Sequence, residues 1–159
     1  MNNKSKFLVQ GGVVAALYVV LTYLCSLMGL SSGVIQVRFS EAMCILPCFM
    51  PASVPGLFLG CFLSNLLTGC VMWDVIFGSL ATLLGAIGTY LLRKNRFLAC
   101  IPPIIANVLI IPFVLIYAYE VPDTYWFLVI TIAAGEIISC GILGQILYSV
   151  ISKNKSRFS

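Results

Sequence analysis

Long apolar runs broken by short polar punctuation make up most of this chain. Residues 7–28, 73–92, 97–117 and 125–152 are such runs. Each offers about the 20 residues that a helix needs to cross a bilayer, so each predicts a membrane span. Between the first and second lies 41–70, equally apolar but punctuated by Pro47, Pro51 and Pro55. A single helix over its 29 residues from 41 to 69 would be about 44 Å long. That is too long for one span of about 30 Å and too short for two full ones. The prolines predict a break near the middle, giving short crossings at 41–50 and 53–70 joined by a tight turn. A re-entrant hairpin set among full spans is the alternative. Just upstream, Ile35, Val37 and Phe39 alternate with Gln36, Arg38 and Ser40. Period two predicts extended backbone with one apolar and one polar face.

Composition makes lipid the solvent. Of 159 residues, 61% are hydrophobic and 9% charged, where a soluble domain has roughly a quarter charged. Mean hydropathy is +1.09. These values exclude a secreted disulfide domain, a nucleic-acid-binding domain and a soluble enzyme. The expected fold is an all-α integral membrane protein, one transmembrane domain over 1–159, with six helices. Residues 7–28 are too long for a signal-peptide core and read as a retained first span.

Charge orients the helices. Lys4 and Lys6, then Arg93, Lys94 and Arg96, then Lys153, Lys155 and Arg157 form three basic clusters between apolar runs. The positive-inside tendency places both termini and the 93–96 loop on the cytoplasmic side. An even number of crossings then precedes Arg93, as two short crossings in 41–70 provide. Residues 29–40, the turn near 70–73 and 119–124 fall outside. Arg38 is the basic residue among them, and the shortness of the second helix predicts that 30–40 dips inward as a lid.

Side-chain chemistry narrows the function. The chain has no histidine, which removes the usual general base and the commonest metal ligand. Its seven cysteines form no C-x-x-C pair. They read as small hydrophobes of a bundle, although Cys44 and Cys48 are one helical turn apart. No catalytic residue, metal site or cofactor is expected. Without a phosphate-binding glycine loop, the chain does not bind ATP in that manner. Gly56, Gly60 and Ser64 repeat every four residues, as do Gly11 with Ala15 and Gly12 with Ala16. Small residues so spaced let helices approach closely. The first set reads as packing within the bundle. The second reads equally as packing or as a docking face for a partner helix.

Polar groups inside spans are costly and usually face a cavity or a partner. Glu136 lies mid-way along the last run, with Arg38 as a possible ion-pair partner. Asn107 and Asn65 add amides that serve as well for helix-to-helix ties. Glu41 and Asp74 open helices, where the helix dipole favours an acid. Trp73, Tyr117, Tyr119, Tyr125 and Trp126 cluster at the exterior ends and read mainly as an interfacial aromatic belt. Acids and amides facing one side of the membrane suit a donor-rich planar ligand.

The stretch Ile35-Gln36-Val37-Arg38-Phe39-Ser40-Glu41-Ala42 resembles the QueT family. So do Pro51-Ala52-Ser53-Val54-Pro55-Gly56-Leu57-Phe58-Leu59-Gly60, Asp74-Val75-Ile76-Phe77-Gly78-Ser79-Leu80-Ala81-Thr82-Leu83 and the late Gly135-Glu136. The resemblance covers nearly the whole chain. It implies a six-helix bundle of the type found in S components, the substrate-binding subunits of energy-coupling factor (ECF) transporters. The implied ligand is a queuosine precursor, a 7-deazaguanine base. The implied partners are a transmembrane coupling protein and two ATPase subunits, in a prokaryotic cell membrane crossed several times. Arg38, Glu41, Asn65, Asp74, Asn107 and Glu136 are then pocket residues. Gly11, Gly12, Ala15 and Ala16 stand where such proteins contact the coupling protein. A self-sufficient homo-oligomeric carrier, a subunit for another vitamin-like ligand, a membrane-embedded enzyme using Glu41 and Asp74, and a purely structural subunit are the competing readings.

Overall fold

The structure is a computed structural model and describes residues 2–30 and 36–154. Six helices and no strand make up the regular structure of the described residues. They are α1 (Asn3–Leu27), α2 (Phe39–Cys48), α3 (Ser53–Leu67), α4 (Met72–Leu91), α5 (Leu98–Ala118) and α6 (Tyr125–Lys153). By length and apolar character α1, α4, α5 and α6 suffice to cross a membrane. Their outward faces are correspondingly apolar. Leu8, Val13, Leu17, Val20, Leu24 and Leu27 are all exposed along α1, which would be an aggregation-prone patch in water and is ordinary against lipid.

The 41–70 region is two antiparallel arms, as its prolines predict. The first arm, α2, has 3-10 rather than α geometry and holds Pro47 within it. Ten residues of 3-10 helix reach about 20 Å, and the fifteen of α3 about 22 Å. Both are short of the hydrocarbon thickness. The direction of α2 follows from three ties to α1: Phe39 N–H to Cys25 Sγ (3.1 Å), Thr22 Oγ1–H to Ser40 Oγ (2.8 Å), and Tyr18 O–H to the Glu41 carboxylate. Partner numbers fall on α1 as they rise on α2, so the two run antiparallel.

The chain turns at Pro51–Ala52, and α3 runs back parallel to α1. Gly56 and Gly60 make this possible. A Cβ on Gly56 would lie 2.6 Å from Gly11 O, and one on Gly60 would lie 2.7 Å from Tyr18 Cβ. The every-fourth-residue repeat is therefore packing within the bundle, as read from the sequence. The small-residue stripe of α1 divides. Gly11 and Ala15 face α3, whereas nothing lies within 4 Å of a Cβ built on Gly12, and Ala16 is exposed.

The alternating stretch is extended at Arg38 (φ −118°, ψ 114°) but ends there, because Phe39 and Ser40 already belong to α2. Glu41 in the first turn suits the helix dipole, and the helix turns Ser40 inward to Thr22. Val34 and Ile35, like Lys155 and Arg157 of the basic tail, lie outside the described residues.

The main apolar core fills the half of the bundle near the 51–52 turn. It includes Val14, Tyr18, Met43, Cys44, Leu46, Leu57, Cys61, Ala86 and Cys140. Thr89 Oγ1 donates to Ala99 O at 2.7 Å and Gln145 Nε2 to Arg96 O at 2.7 Å. These bonds close the bundle at the basic-loop end. The opposite end stays open, and the polar residues gather there.

Overpacking tests the α1–α3 contact. Gly60→Val is expected to lose about 1–3 kcal/mol of stability in detergent unfolding, whereas Gly12→Val should unfold like the parent. Equal midpoints for the two variants would contradict this packing.

Candidate functional site

Two neighbouring cavities occupy the open half. The outer one has a volume of about 460 Å³, and Thr22, Ser26, Asn65, Thr68, Asp74 and Tyr119 contribute its polar lining together with Gln36 and Arg38. Its size falls in the usual range for small-molecule pockets. The inner one, about 40 Å³, is lined by Glu41, Cys61, Thr82, Asn107 and Glu136 among others. That is room for a water or for one edge of a ligand. Gln36, Arg38 and Ile111 line both cavities and so stand between them.

All of Arg38, Glu41, Asn65, Asp74, Asn107 and Glu136 line one or both cavities. The sequence scatters them over 99 positions, and the fold brings them to one place. Gln36, Thr82 and Thr22 complete the walls; nothing in the one-dimensional pattern set them apart from other polar residues.

The two glutamates differ in how they are held. Glu41 is buried, at 3% exposure. One oxygen accepts from Tyr18 O–H, and Oε2 accepts from Cys44 Sγ–H at 3.2 Å. Glu136 Oε1 accepts from Asn107 Nδ2 at 3.0 Å. Its Oε2 is buried with no partner. A buried polar atom left without a bond costs free energy, and this one belongs to a residue lining the inner cavity. Of the two structural alternatives for Glu136, the ion pair with Arg38 is not formed, and a polar tie between helices is. Asn107, on the neighbouring α5, takes that place.

Arg38 is set by its backbone. Its N–H donates to Ser139 Oγ at 3.2 Å, and Val37 N–H donates to Leu30 O at 3.1 Å. Gly135 lets the segment lie against α6, since a Cβ there would fall 2.1 Å from Gln36 O. The described part of the 30–40 segment thus dips inward, as its length predicts. Burial works against the charge of Arg38, but the field of Asp74 and weaker ones, that of Glu41 among them, outweigh it and raise its pKa.

Asp74 is at 7% exposure at the start of α4. Its Oδ2 accepts from Tyr119 O–H at 2.9 Å, and the same phenol oxygen accepts from Val71 N–H at 3.2 Å. Tyr119 is therefore part of the outer cavity and not only of an aromatic belt. Trp73, Tyr117 and Trp126, at 59%, 79% and 70% exposure, do fit the belt. Partial burial, and then the charge of Asp74, push the Tyr119 phenol well above its ordinary pKa. Asn65 is buried and spends its Nδ2 on Asp74 O at 3.4 Å, a tie between α3 and α4.

A separate groove of about 530 Å³ between α4 and α5 is lined by Trp73, Phe77, Leu109, Phe113 and other apolar residues. It has the character of a lipid-facing surface, with only the Trp73 and Tyr117 side chains carrying polar atoms.

The family model for the QueT transporter matches residues 8–153. The chain belongs to the QueT transporter family. It is accordingly a membrane transport protein, from a transporter family and not an enzyme family. No curated protein and no solved structure matches it. In this QueT member the match takes in α2 to α6, all of α1 but its first five residues, and every polar residue of both cavities.

The Tyr119–Asp74 bond is testable alone. Tyr119→Phe should cost about 0.5–1.5 kcal/mol and speed hydrogen exchange at the Val71 amide. Because the folded phenol ionises later than the unfolded one, its contribution is present below the ordinary phenol pKa. It is lost as pH rises through that value toward the raised one. Unchanged exchange at Val71 would contradict the Val71–Tyr119 bond, and unchanged stability the Tyr119–Asp74 bond.

Proposed function

We propose that this QueT-family chain is the S component of an ATP-driven ECF transporter and binds a 7-deazaguanine queuosine precursor in the two-chambered cavity. The observation that carries the reading is the buried, unpartnered Oε2 of Glu136 beside the Asn107 amide. A carboxylate with a free acceptor next to an amide is what a planar ligand with adjacent N–H donors needs. Glu136, helped by Glu41, takes the guanine-like N–H edge in the inner chamber. Asn107 meets the ring carbonyl. Asn65 is the alternative for that contact, though its amide is already committed to Asp74 O. The outer chamber holds the ring substituent, where Asp74 pairs with a cationic amine if the ligand carries one and Tyr119 gives way to it. Arg38, which lines both chambers, flanks the ligand between them.

In this reading the basic clusters and both termini are cytoplasmic in a prokaryotic plasma membrane. The cavity opens to the outside, where a scavenged base arrives. The chain shows no ATP-binding glycine loop, so transport draws on partner ATPases through a coupling protein. Gly12 and Ala16 are the part of the α1 stripe left for that protein, because α3 already covers Gly11 and Ala15. Their packing roles leave Gly11 and Ala15 to set the angle of α1 under the exposed pair.

Direct titration of the purified protein tests the ligand. Tryptophan fluorescence and calorimetry with 7-deazaguanine precursors, guanine and an unrelated vitamin should show saturable binding of one precursor, with guanine much weaker. Glu136→Ala should weaken that binding about ten- to a hundred-fold, the cost of leaving buried polar groups of the ligand unsatisfied. No binding of any precursor by a monodisperse sample would refute the substrate, and unaltered affinity in a folded Glu136→Ala variant would refute its anchor. For docking, Gly12→Leu with Ala16→Leu should abolish co-purification with the coupling module while ligand affinity holds. Intact assembly would move the contact elsewhere on the bundle.

A further inference from the structure

Directly behind the inner chamber, Glu41 meets two thiols that ligand binding does not use. Cys44 on α2, Cys140 on α6 and the carboxylate of Glu41 place their Sγ, Sγ and oxygen atoms all within 4.8 Å of one another, and all three residues are buried. Cys44 Sγ is 3.2 Å from Glu41 Oε2, and Cys140 Sγ is 3.2 Å from Glu41 O. Neither thiol is in a disulfide. We propose that Cys44, Cys140 and Glu41 form a binding site for a thiophilic divalent cation of the zinc class.

The spacing fits the chemistry. Bonds of about 2.3 Å to sulfur and about 2.0 Å to a carboxylate oxygen, at tetrahedral angles, separate the two sulfurs by about 3.8 Å and each sulfur from the oxygen by about 3.5 Å. The observed spread needs only small side-chain adjustment to reach this. A good site also fixes its ligands from behind. Tyr18 O–H already holds one oxygen of Glu41 and leaves Oε2 turned to Cys44. Cys140 lies in the Ile137–Leu143 segment, which has π-helical geometry, a distortion frequent at functional sites. Access comes through Glu41, which lines the inner chamber as well. The fourth coordination position falls to water or to the unpartnered Oε2 of Glu136.

Charge supports an ion of this kind. Binding releases the two thiol protons. Two thiolates and one carboxylate around a divalent ion leave one net negative charge, and the guanidinium of Arg38 borders the same chamber. A hard cation such as magnesium prefers an oxygen cage, which two sulfurs do not supply.

The test uses Cd²⁺ and Co²⁺ as probes on the full chain in detergent, with no organic ligand present. It therefore stands or fails separately from the transport reading. One equivalent of either ion should produce a sulfur-to-metal charge-transfer band and release protons. Cys44→Ala and Cys140→Ala should each abolish the band. Cys48 packs against the small cluster of Ile45, Ala99 and Cys100, and a Cys48→Ser/Cys100→Ser double variant should keep the band, which excludes those two thiols. X-ray absorption at the metal edge of the unaltered protein, which does not depend on any variant folding, should show two sulfur neighbours. The absence of a band with both ions, its persistence after loss of Cys44 and Cys140, or a shell without sulfur would each overturn the site.

Discussion

A carboxylate placed between the helices of a membrane bundle has to be held by donors, because leaving it bare costs several kcal/mol. Glu41 is that group here. Its donors come from different parts of the chain. Tyr18 reaches it from α1 and Cys44 from its own helix, while Cys140 of α6 bonds to its backbone carbonyl. Satisfying this acid ties α1 to α2, and the bond to its backbone carbonyl adds α6. The short arm α2 follows from this. Its first turn is fixed at the depth of Tyr18, and Pro51–Ala52 must turn the chain before α3 can return beside α1. The glycines of α3 complete the constraint, since only a helix without side chains at positions 56 and 60 can lie that close to α1.

The placement of the cavity is a consequence. The helices pack most tightly around Tyr18, Cys44, Leu57 and Cys140, in the half near the 51–52 turn. Toward the other end their polar faces diverge around Thr22, Asn65, Asp74 and Tyr119. The segment at Gln36 and Arg38 enters this gap and rests on Gly135 and Ser139 of α6. A loop that stayed outside would leave one large vestibule. A loop that enters divides it into an outer chamber of ligand size and an inner one that admits only an edge.

Much of the fold was legible because membrane spans are written in runs of apolar residues, and runs survive without knowledge of neighbours. The break in 41–70 was legible for a related reason: three prolines and a length that matches neither one span nor two. The 3-10 geometry of α2 was not, since it depends on ties to α1 that no local pattern reveals. Nor was the end of the extended stretch at Arg38. For the site, the costly residues Glu136, Asn107 and Glu41 stood out against an apolar background and do converge. Tyr119 did not, because an aromatic at a span end looks the same whether it meets lipid headgroups or Asp74. The Gly11/Gly12 ambiguity was unavoidable in one dimension, where adjacent stripes of a helix look alike and only the position of α3 separates them. The cysteines are the strongest case. The pair visible in the sequence was Cys44 with Cys48, but folding sets Cys44 beside Cys140, 96 positions away.

The unequal treatment of the two glutamates is what makes the cavity directional. Both oxygens of Glu41 are occupied, so its place in the bundle does not depend on a ligand. Glu136 has one oxygen tied to Asn107 and the other bare. A ligand that supplies N–H donors there relieves an existing cost as well as making a new bond. One that presents a carbonyl at the same point adds repulsion to an atom already short of a partner. On the proposed reading, discrimination between such ligands would come mainly from rejecting the wrong edge. A small inner chamber enforces it, because there is no room for water to mediate a mismatch.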